Sequence, residues 1–551
     1  MAVRYSPDNG LLISSYSLMN FTAKTLPYQQ TGYFSRLISD YLQGNEHLRD
    51  FYEHPGSFEG MEAAMHQREN FATDRKLLIR ILEEQYAGLP AADAIVKNLE
   101  WLSGKKTFTV TTAHQPAIFT GNLYFIYKIL HVIKLASTLS ARYPDCHFVP
   151  VFYMGTEDAD LDELGHIYID KEKLQWDTMQ TGAVGRMHPE GLDKILNRIE
   201  GEFSGYPYGP GLIQLLKDCY LGAENIQQAT LKILHHLFGS YGLIVLMPEH
   251  RLFKTVMRGV FKDDLTNHTP FEITRANVQY LKEQYPVQAN PREINLFYLS
   301  ENIRERIELR DGRFMVNNTN IHFSPDEMEK ELANFPERFS PNVILRGLYQ
   351  EMILPNIAFV GGGSEIAYWL ELKPLFKHYR VPYPVLIMRN SFLLIKKNWS
   401  AKIEKAGLFT ADVFKSEEEL MEAYVHRNSS RQLILDKQII EMGKIYDSVK
   451  NISGAVDKTL EQHVEKLESQ AVQKLEELEK KIIRAEKKTH EEVRRKIHEI
   501  REALFPLETL QERIDNFIPW YAEYGAAFIE LIHQNSLDLK QAFTILEEIP
   551  E

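Results

Sequence analysis

The sequence predicts an α/β protein: a parallel sheet flanked by helices and interrupted by two insertions, then a C-terminal α-helical coiled coil. Three observations carry this. First, Phe108 and Val110 alternate with Thr107, Thr109 and Thr111 as in a short strand. A polar turn follows at Ala113-His114-Gln115-Pro116, and Leu123, Ile126, Tyr127, Leu130 and Ile133 then recur at helical spacing. Second, four more apolar runs, at 147–154, 243–247, 356–360 and 384–388, each end in a polar or glycine-rich turn, the pattern of strands buried on both faces of a parallel sheet. Third, beyond about residue 410 glycine and proline become scarce, charge rises, and an apolar seam from Val456 to Leu504 closes every eleven residues.

Taken in order, residues 1–105 read as a helical layer packed on the core. Segments 33–42, 61–86 and 91–102 have helical periodicity, with breaks at Pro55-Gly56 and Gly88-Leu89-Pro90. The core spans 106–395, with insertions near 167–240 and 270–340. The second insertion includes a small antiparallel piece around the Asp311-Gly312 turn. The sheet is predicted to resume at 342–354 and 356–360. Gly361-Gly362-Gly363-Ser364 then opens a helix over 365–379, and 384–388 is the last evident strand. Residues 396–551 form a helical coiled-coil arm. A single helix over 456–504 would be about 75 Å long and needs a partner, either 432–449 of the same chain or a second subunit. The tail from 507, with Phe517, Trp520, Tyr521, Tyr524 and Phe528, is too aromatic for a solvated arm and is expected to fold back on the body.

Bulk properties exclude several classes. With 44% hydrophobic and 25% charged residues the chain can bury a large core. A net charge of −13 argues against a nucleic-acid partner, which needs an excess of cations. Two cysteines, Cys146 and Cys219, make neither a disulfide framework nor a cysteine-rich zinc site, so no zinc is expected and no residue is assigned as a metal ligand, and a reducing cytoplasm fits. Residues 1–16 lack signal-peptide features, and no apolar run approaches the roughly 20 residues of a membrane span, so no membrane partner is expected.

Open parallel sheets bind ligands at the carboxyl ends of their strands, and three turns there carry chemistry. His114, Gln115, Thr120, Gly121 and Asn122 flank a helix N-terminus, where a phosphate or carboxylate sits well; a turn histidine and a helix cap are the competing readings. Five carboxylates fall between Glu157 and Glu163. A metal site, an amine receptor and acids at a helix start are all open readings. The helix start accounts best for most of them, and Glu157 and Asp158 are the exceptions. Clustered carboxylates raise one another's proton affinity, which suits a base for an ammonium nucleophile. His114, Glu157 and Asp158 are therefore the candidate catalytic residues. Gly361, Gly362 and Gly363 allow close backbone approach, and Ser364, Glu365 and Tyr368 complete a substrate turn. It is not a P-loop, because no Gly-Lys-Ser/Thr closes it. Arg389 and Asn390 could add a cation for phosphate or carboxylate, and Lys128, one turn into the first helix, could reach inward.

Taken together, several stretches resemble one known family. They are AHQP with TGNLYFIYKILHVIKLA, VPVFYMGTEDADLDEL, SPNVILRGLYQEMILPNIAFVGGGSEIAYWLELKPLF and VPYPVLIMRNSFLLI. They resemble the bacillithiol-synthesis cysteine ligases, BshC, over about 107–395. The resemblance implies a Rossmann-like, nucleotidyltransferase-type core with two connecting insertions, and a coiled coil that makes a homodimer. It implies the last step of bacillithiol synthesis, an amide bond between L-cysteine and the amino group of glucosaminyl-malate. ATP or another nucleotide is the co-substrate to be tested, since no Lys-Met-Ser-Lys-Ser loop is present. The chain departs from the family's frequent Gly-Gln-Gln at Ala113-His114-Gln115, from Gly-Pro at Gly121-Asn122, and from a histidine where Ala159 stands. Two other readings stay open: a non-catalytic nucleotide-binding dimeric sensor or scaffold, and a nucleotidyltransferase acting on another small carboxylic acid.

Overall fold

The computed structural model describes residues 20–429 and 433–549; residues 1–16 and residue 432, which entered the sequence reading, lie outside the described residues. The chain divides into two compact units. The first takes residues up to 29, 33–393 and 509–546; the second takes 30–32, 394–508 and residues from 547.

The first unit is built on a five-stranded sheet of β1 (Thr107–His114), β2 (His147–Met154), β3 (Ile244–Leu246), β4 (Asn356–Gly361) and β5 (Val385–Met388), in the order β5-β4-β1-β2-β3. All neighbours run parallel. The threonines of β1 do not face water. Thr109 and Thr111 donate to the Asn356 side-chain oxygen at 3.1 and 2.8 Å, and Thr112 donates to the Val360 carbonyl at 2.7 Å. Buried hydroxyls so satisfied are compatible with a strand covered on both faces. Strand order reverses between β1 and β4, which places the ligand crevice at their carboxyl ends. The α/β class read from the sequence is the observed one.

Helix α1 (Leu123–Arg142) joins β1 to β2. By length and hydropathy it could cross a membrane, a feature the reading of apolar runs did not anticipate, but most of its side chains are buried within the protein. The remaining helices that bear on the site are α2 (Leu161–Leu164), α3 (Arg251–Val256), α4 (Val343–Ile353) and α5 (Gly363–Tyr379). Helix α4 corrects the strand expected over 342–354. Most of its residues are buried, including Ile344, Leu345, Leu348, Tyr349, Gln350 and Glu351, and none is exposed, so the solvent-facing polar stripe that marks a helix is missing. Asn342 caps it, accepting from the Ile344 N–H at 2.9 Å.

Other boundaries also move. The helix expected over 61–86 is two, Phe58–Glu69 and Arg75–Tyr86; the second is capped by Asp74, which accepts from the Leu77 N–H at 3.0 Å. The N-terminal layer is not all helical: Phe21–Leu26 is a strand, in a three-stranded sheet with Phe543–Glu548 and Ser391–Ile395. Strand 384–388 is therefore not the last. Between β2 and β3 stand a hairpin, His166–Ile169 with Glu172–Gln175, and the helices Asp193–Phe203, Gly209–Tyr220 and Ile226–Phe238. Between β3 and β4 stands a five-stranded antiparallel sheet, with Phe339–Pro341 at one edge. Residues 509–546 belong to the first unit, where Phe517 and Phe528 are fully buried.

The second unit is helical. Helix α6 (Asp436–Val456) covers most of the in-chain partner segment offered by the sequence; set off from it by a turn, the single helix expected over 456–504 is two, α7 (Leu460–Lys488) and α8 (Glu491–Leu504). Before α7 the Asp457 carboxylate accepts from the Thr459 N–H and hydroxyl at 2.9 and 2.8 Å, a turn that competes with helix. Helices α6 and α7 pack against each other as a hairpin. The 29 residues of α7 span about 44 Å, well short of the length anticipated.

Candidate active site

A cleft of about 360 Å³ opens at the carboxyl ends of the core strands. It collects His114 and Gln115 after β1, Glu157 and Asp158 after β2, Gly362, Gly363, Ser364, Glu365 and Tyr368 after β4, and Arg389 after β5. Thr120, Gly121, Asn122, Gly361 and Asn390 do not line it.

The reason lies in the C-terminal segment of the same unit. Asn516 donates through its side-chain amide to the carbonyls of Phe119 (3.0 Å) and Gly121. The Asn122 side chain donates to the Arg513 carbonyl at 2.5 Å, and the Leu123 N–H donates to the Asp515 carbonyl at 2.7 Å. The start of α1, expected to receive a phosphate, is thus capped by the chain itself, and that expectation is corrected. Gly361 ends β4, and its carbonyl accepts from the Arg389 N–H at 2.8 Å. Asn390 is buried; its N–H donates to His131 Nδ1 (3.1 Å) and its side-chain oxygen accepts from the Leu537 N–H (2.9 Å).

His114 has a defined tautomer. Its Nδ1 lies 2.9 Å from the Gln115 carbonyl and must carry the proton, so Nε2 accepts from the Tyr124 hydroxyl at 3.0 Å. Burial, reinforced by Lys128, depresses its pKa to about 4, so the ring is neutral near pH 7. A neutral ring that accepts from Tyr124 has no N–H to offer a phosphate. Both His114 and Tyr124 line the cleft, and the Tyr124 phenol is pushed up to about 12 by burial and the Glu163 charge.

The acidic turn is held from beneath. Glu157 is 8% exposed, and its Oε1 lies 2.5 Å from Lys254 Nζ on α3. Lys254 is fully buried and also donates to the Phe339 carbonyl at 2.9 Å. Burial pulls its ammonium below the usual lysine range, and Glu157 resists that shift. Asp158 accepts from the Gln115 side-chain amide (3.0 Å) and the Ala159 N–H (2.7 Å), with Arg304 at 3.8 Å. Asp160 is the cap of α2, accepting from the Glu163 N–H at 3.0 Å, the helix-start role read from the sequence.

Across the cleft, the Glu365 carboxylate accepts from Lys128 Nζ and the Gly362 N–H, at 2.6 and 2.7 Å. Burial opposes its charge, but Lys128 and the Gly362 N–H outweigh burial and hold the carboxyl below its ordinary range. Arg389 is committed elsewhere: its guanidinium donates to Glu512 at 2.7 Å and to Ser391 at 3.0 Å. Its expected role as an anion receptor is corrected to a buried tie with the C-terminal segment. Two other arginines line the cleft with no carboxylate in ion-pair distance among the described residues. Arg346 on α4 donates to the Tyr368 hydroxyl at 2.6 Å, and Arg513 reaches the cleft from the C-terminal segment.

Sequence reading missed Tyr124, Lys254, Arg304, Arg346 and Arg513. Helical spacing from Leu123 placed Tyr124 one residue off the apolar stripe, a signal that was available. The others are brought in by tertiary contacts that no local pattern encodes. For an anion such as phosphate, Arg346, Arg513 and the Gly363-Ser364 start of α5 are the groups in place. Among the described residues no three His, Cys, Asp or Glu side chains converge as a metal site.

Comparison with known proteins agrees with this architecture. Residues 21–390 match the family model described as Bacillithiol biosynthesis BshC, N-terminal Rossmann-like domain, and residues 392–548 match its C-terminal coiled-coil domain. Relatives carrying the name "Putative cysteine ligase BshC" include proteins of Flavobacterium psychrophilum and Flavobacterium johnsoniae. These are 38% and 36% identical, and each match covers 95% of this chain and 99% of the relative. One from Cytophaga hutchinsonii is 36% identical, over 94% of this chain and 97% of its own. With both domain models matched in order and relatives aligned nearly end to end, this chain belongs to the BshC family of bacillithiol biosynthesis.

Proposed function

We propose that this chain is a ligase joining the carboxyl group of L-cysteine to the amino group of glucosaminyl-malate, the closing step of bacillithiol synthesis. Family membership supports the substrate class. The observation that carries the reading is the charge layout of the cleft. Carboxylates from three elements share the cleft with two arginines that lack acid partners among the described residues, so one hollow offers places for an ammonium and for a carboxylate or phosphate together. Cysteine and the amino-sugar malate both present those two charges. Amide formation needs an activated carboxyl and a neutral amine, and ATP or another nucleotide would supply the activation as co-substrate.

The exposed apolar row Ile440, Ile445, Val449, Ile452 and Val456 on α6 fits a second copy of the chain, making the assembly a homodimer through the coiled coil. A thiol product and free cysteines fit a cytoplasmic setting. The test is incubation of purified protein with cysteine, glucosaminyl-malate and ATP, read by mass spectrometry. Appearance of the amide-linked thiol supports the ligase. Pyrophosphate release without cysteine would point to a nucleotidyltransferase, and binding without turnover to a sensor.

A further inference from the structure

Four carboxylates line the cleft, and three are already answered. Glu157 faces Lys254, Asp158 holds Gln115 and its own turn with Arg304 nearby, and Glu365 is bonded to Lys128. A carboxylate with a cation beside it is a poor proton acceptor, because the cation stabilises the anion. Glu163, on α2, differs. Among the described residues its side chain has no cation within ion-pair distance and no hydrogen bond, and it lines the cleft while remaining exposed to solvent.

We infer that Glu163 takes the proton from the substrate ammonium when the amide forms, an assignment that rests on the ligase reading above. Partial desolvation, then the Asp160 and Asp158 charges, raise its carboxyl above the ordinary range, as a proton acceptor requires. Its charge is felt by Tyr124 of α1, so it addresses the same part of the hollow as the Tyr124–His114 pair. Glu157 and Glu365 then act as receptors and braces. In the step itself, the ammonium gives one proton to the Glu163 carboxylate. The freed lone pair attacks the carbonyl carbon of a cysteinyl–phosphate mixed anhydride made from the nucleoside triphosphate. The C–N bond forms, the carbon–oxygen bond to phosphate breaks with its electron pair leaving on that oxygen, and the second nitrogen proton departs with phosphate or solvent.

The experiment compares two nucleophiles with cysteine and ATP present: glucosaminyl-malate, whose amine arrives protonated, and hydroxylamine, which is neutral at pH 7 and needs no base. Glu163→Gln is expected to slow amide formation about 100-fold or more, while cysteinyl hydroxamate formation closes most of that gap. Amide formation by Glu163→Gln close to wild type overturns the assignment. If Glu163→Gln loses both reactions, Glu163→Asp decides. Hydroxamate with slowed amide supports a base, and loss of both overturns it. Wild-type protein that makes neither product refutes the ligase reading itself, and this inference with it.

Discussion

Lys254→Met tests whether the acidic turn is held from below. The substitution keeps the length and apolar stem of a fully buried side chain and removes only its charge, now 2.5 Å from Glu157 and 2.9 Å from the Phe339 carbonyl. Deleting one partner of a buried pair costs about 3–5 kcal/mol. Glu157 borders the cleft, where water can reach it, so the lower end, about 3 kcal/mol, is expected. Losing the bond to Phe339 adds about 1 kcal/mol. The double variant Glu157→Gln/Lys254→Met leaves no unpaired charge and should recover most of the loss, to within about 1.5 kcal/mol of wild type. Urea unfolding at pH 7, followed by tryptophan fluorescence, reads all three proteins. A single variant within about 1 kcal/mol of wild type, or a double variant no more stable than the single, would refute the reasoning.

Acid should destabilise the first unit in a defined window. Burial depresses His131, like His114, to about 4, below the 6.5 of an ordinary histidine, so the unfolded chain binds more protons between those values. Stability is full above about pH 6.5 and is lost as pH falls toward 4, and His131→Gln should flatten that slope in pH-dependent melting curves. Asn516→Ala removes the amide that holds the Phe119 and Gly121 carbonyls and should cost about 1–3 kcal/mol in thermal or urea unfolding; no change would mean the tail does not brace the turn. Ile445→Glu with Ile452→Glu should convert a dimer to monomers in sedimentation equilibrium; an unaltered dimer would place the interface elsewhere. Glu157→Gln and His114→Ala should each abolish the thiol product while circular dichroism stays unchanged; full activity in both would displace them from the site.

How much was legible follows from where each signal resides. Strands buried on both faces, such as HFVPVFYM, announce themselves as continuous apolar runs, and the three strand-end turns could be placed on one rim from topology alone. Helix α4 could not be told from a strand because it is buried nearly all round and has no polar stripe. The breaks around Asp457 and Thr489 were invisible to an apolar seam that runs straight through them. The site was partly legible. Its acids and glycines are local, but the groups that decide what each acid can do are not. Lys254 meets Glu157 from 97 residues downstream, and Glu512 claims Arg389 from 123 residues downstream. The helix start reserved for a phosphate was lost to Asn516 for the same reason.

The cap over α1 also has a bearing on how the protein is made. Asn122 waits for a carbonyl that the ribosome adds 391 residues later. Until then the nascent sheet carries a bare, partly positive helix end beside an unfinished hollow. A chain interrupted before residue 509 would lack Arg513 at the cleft and the Asn516 amide that holds the turn before α1. Late arrival of that segment makes a working cleft a property of the nearly finished polypeptide, and contacts so distant along the chain should make its final closure slow.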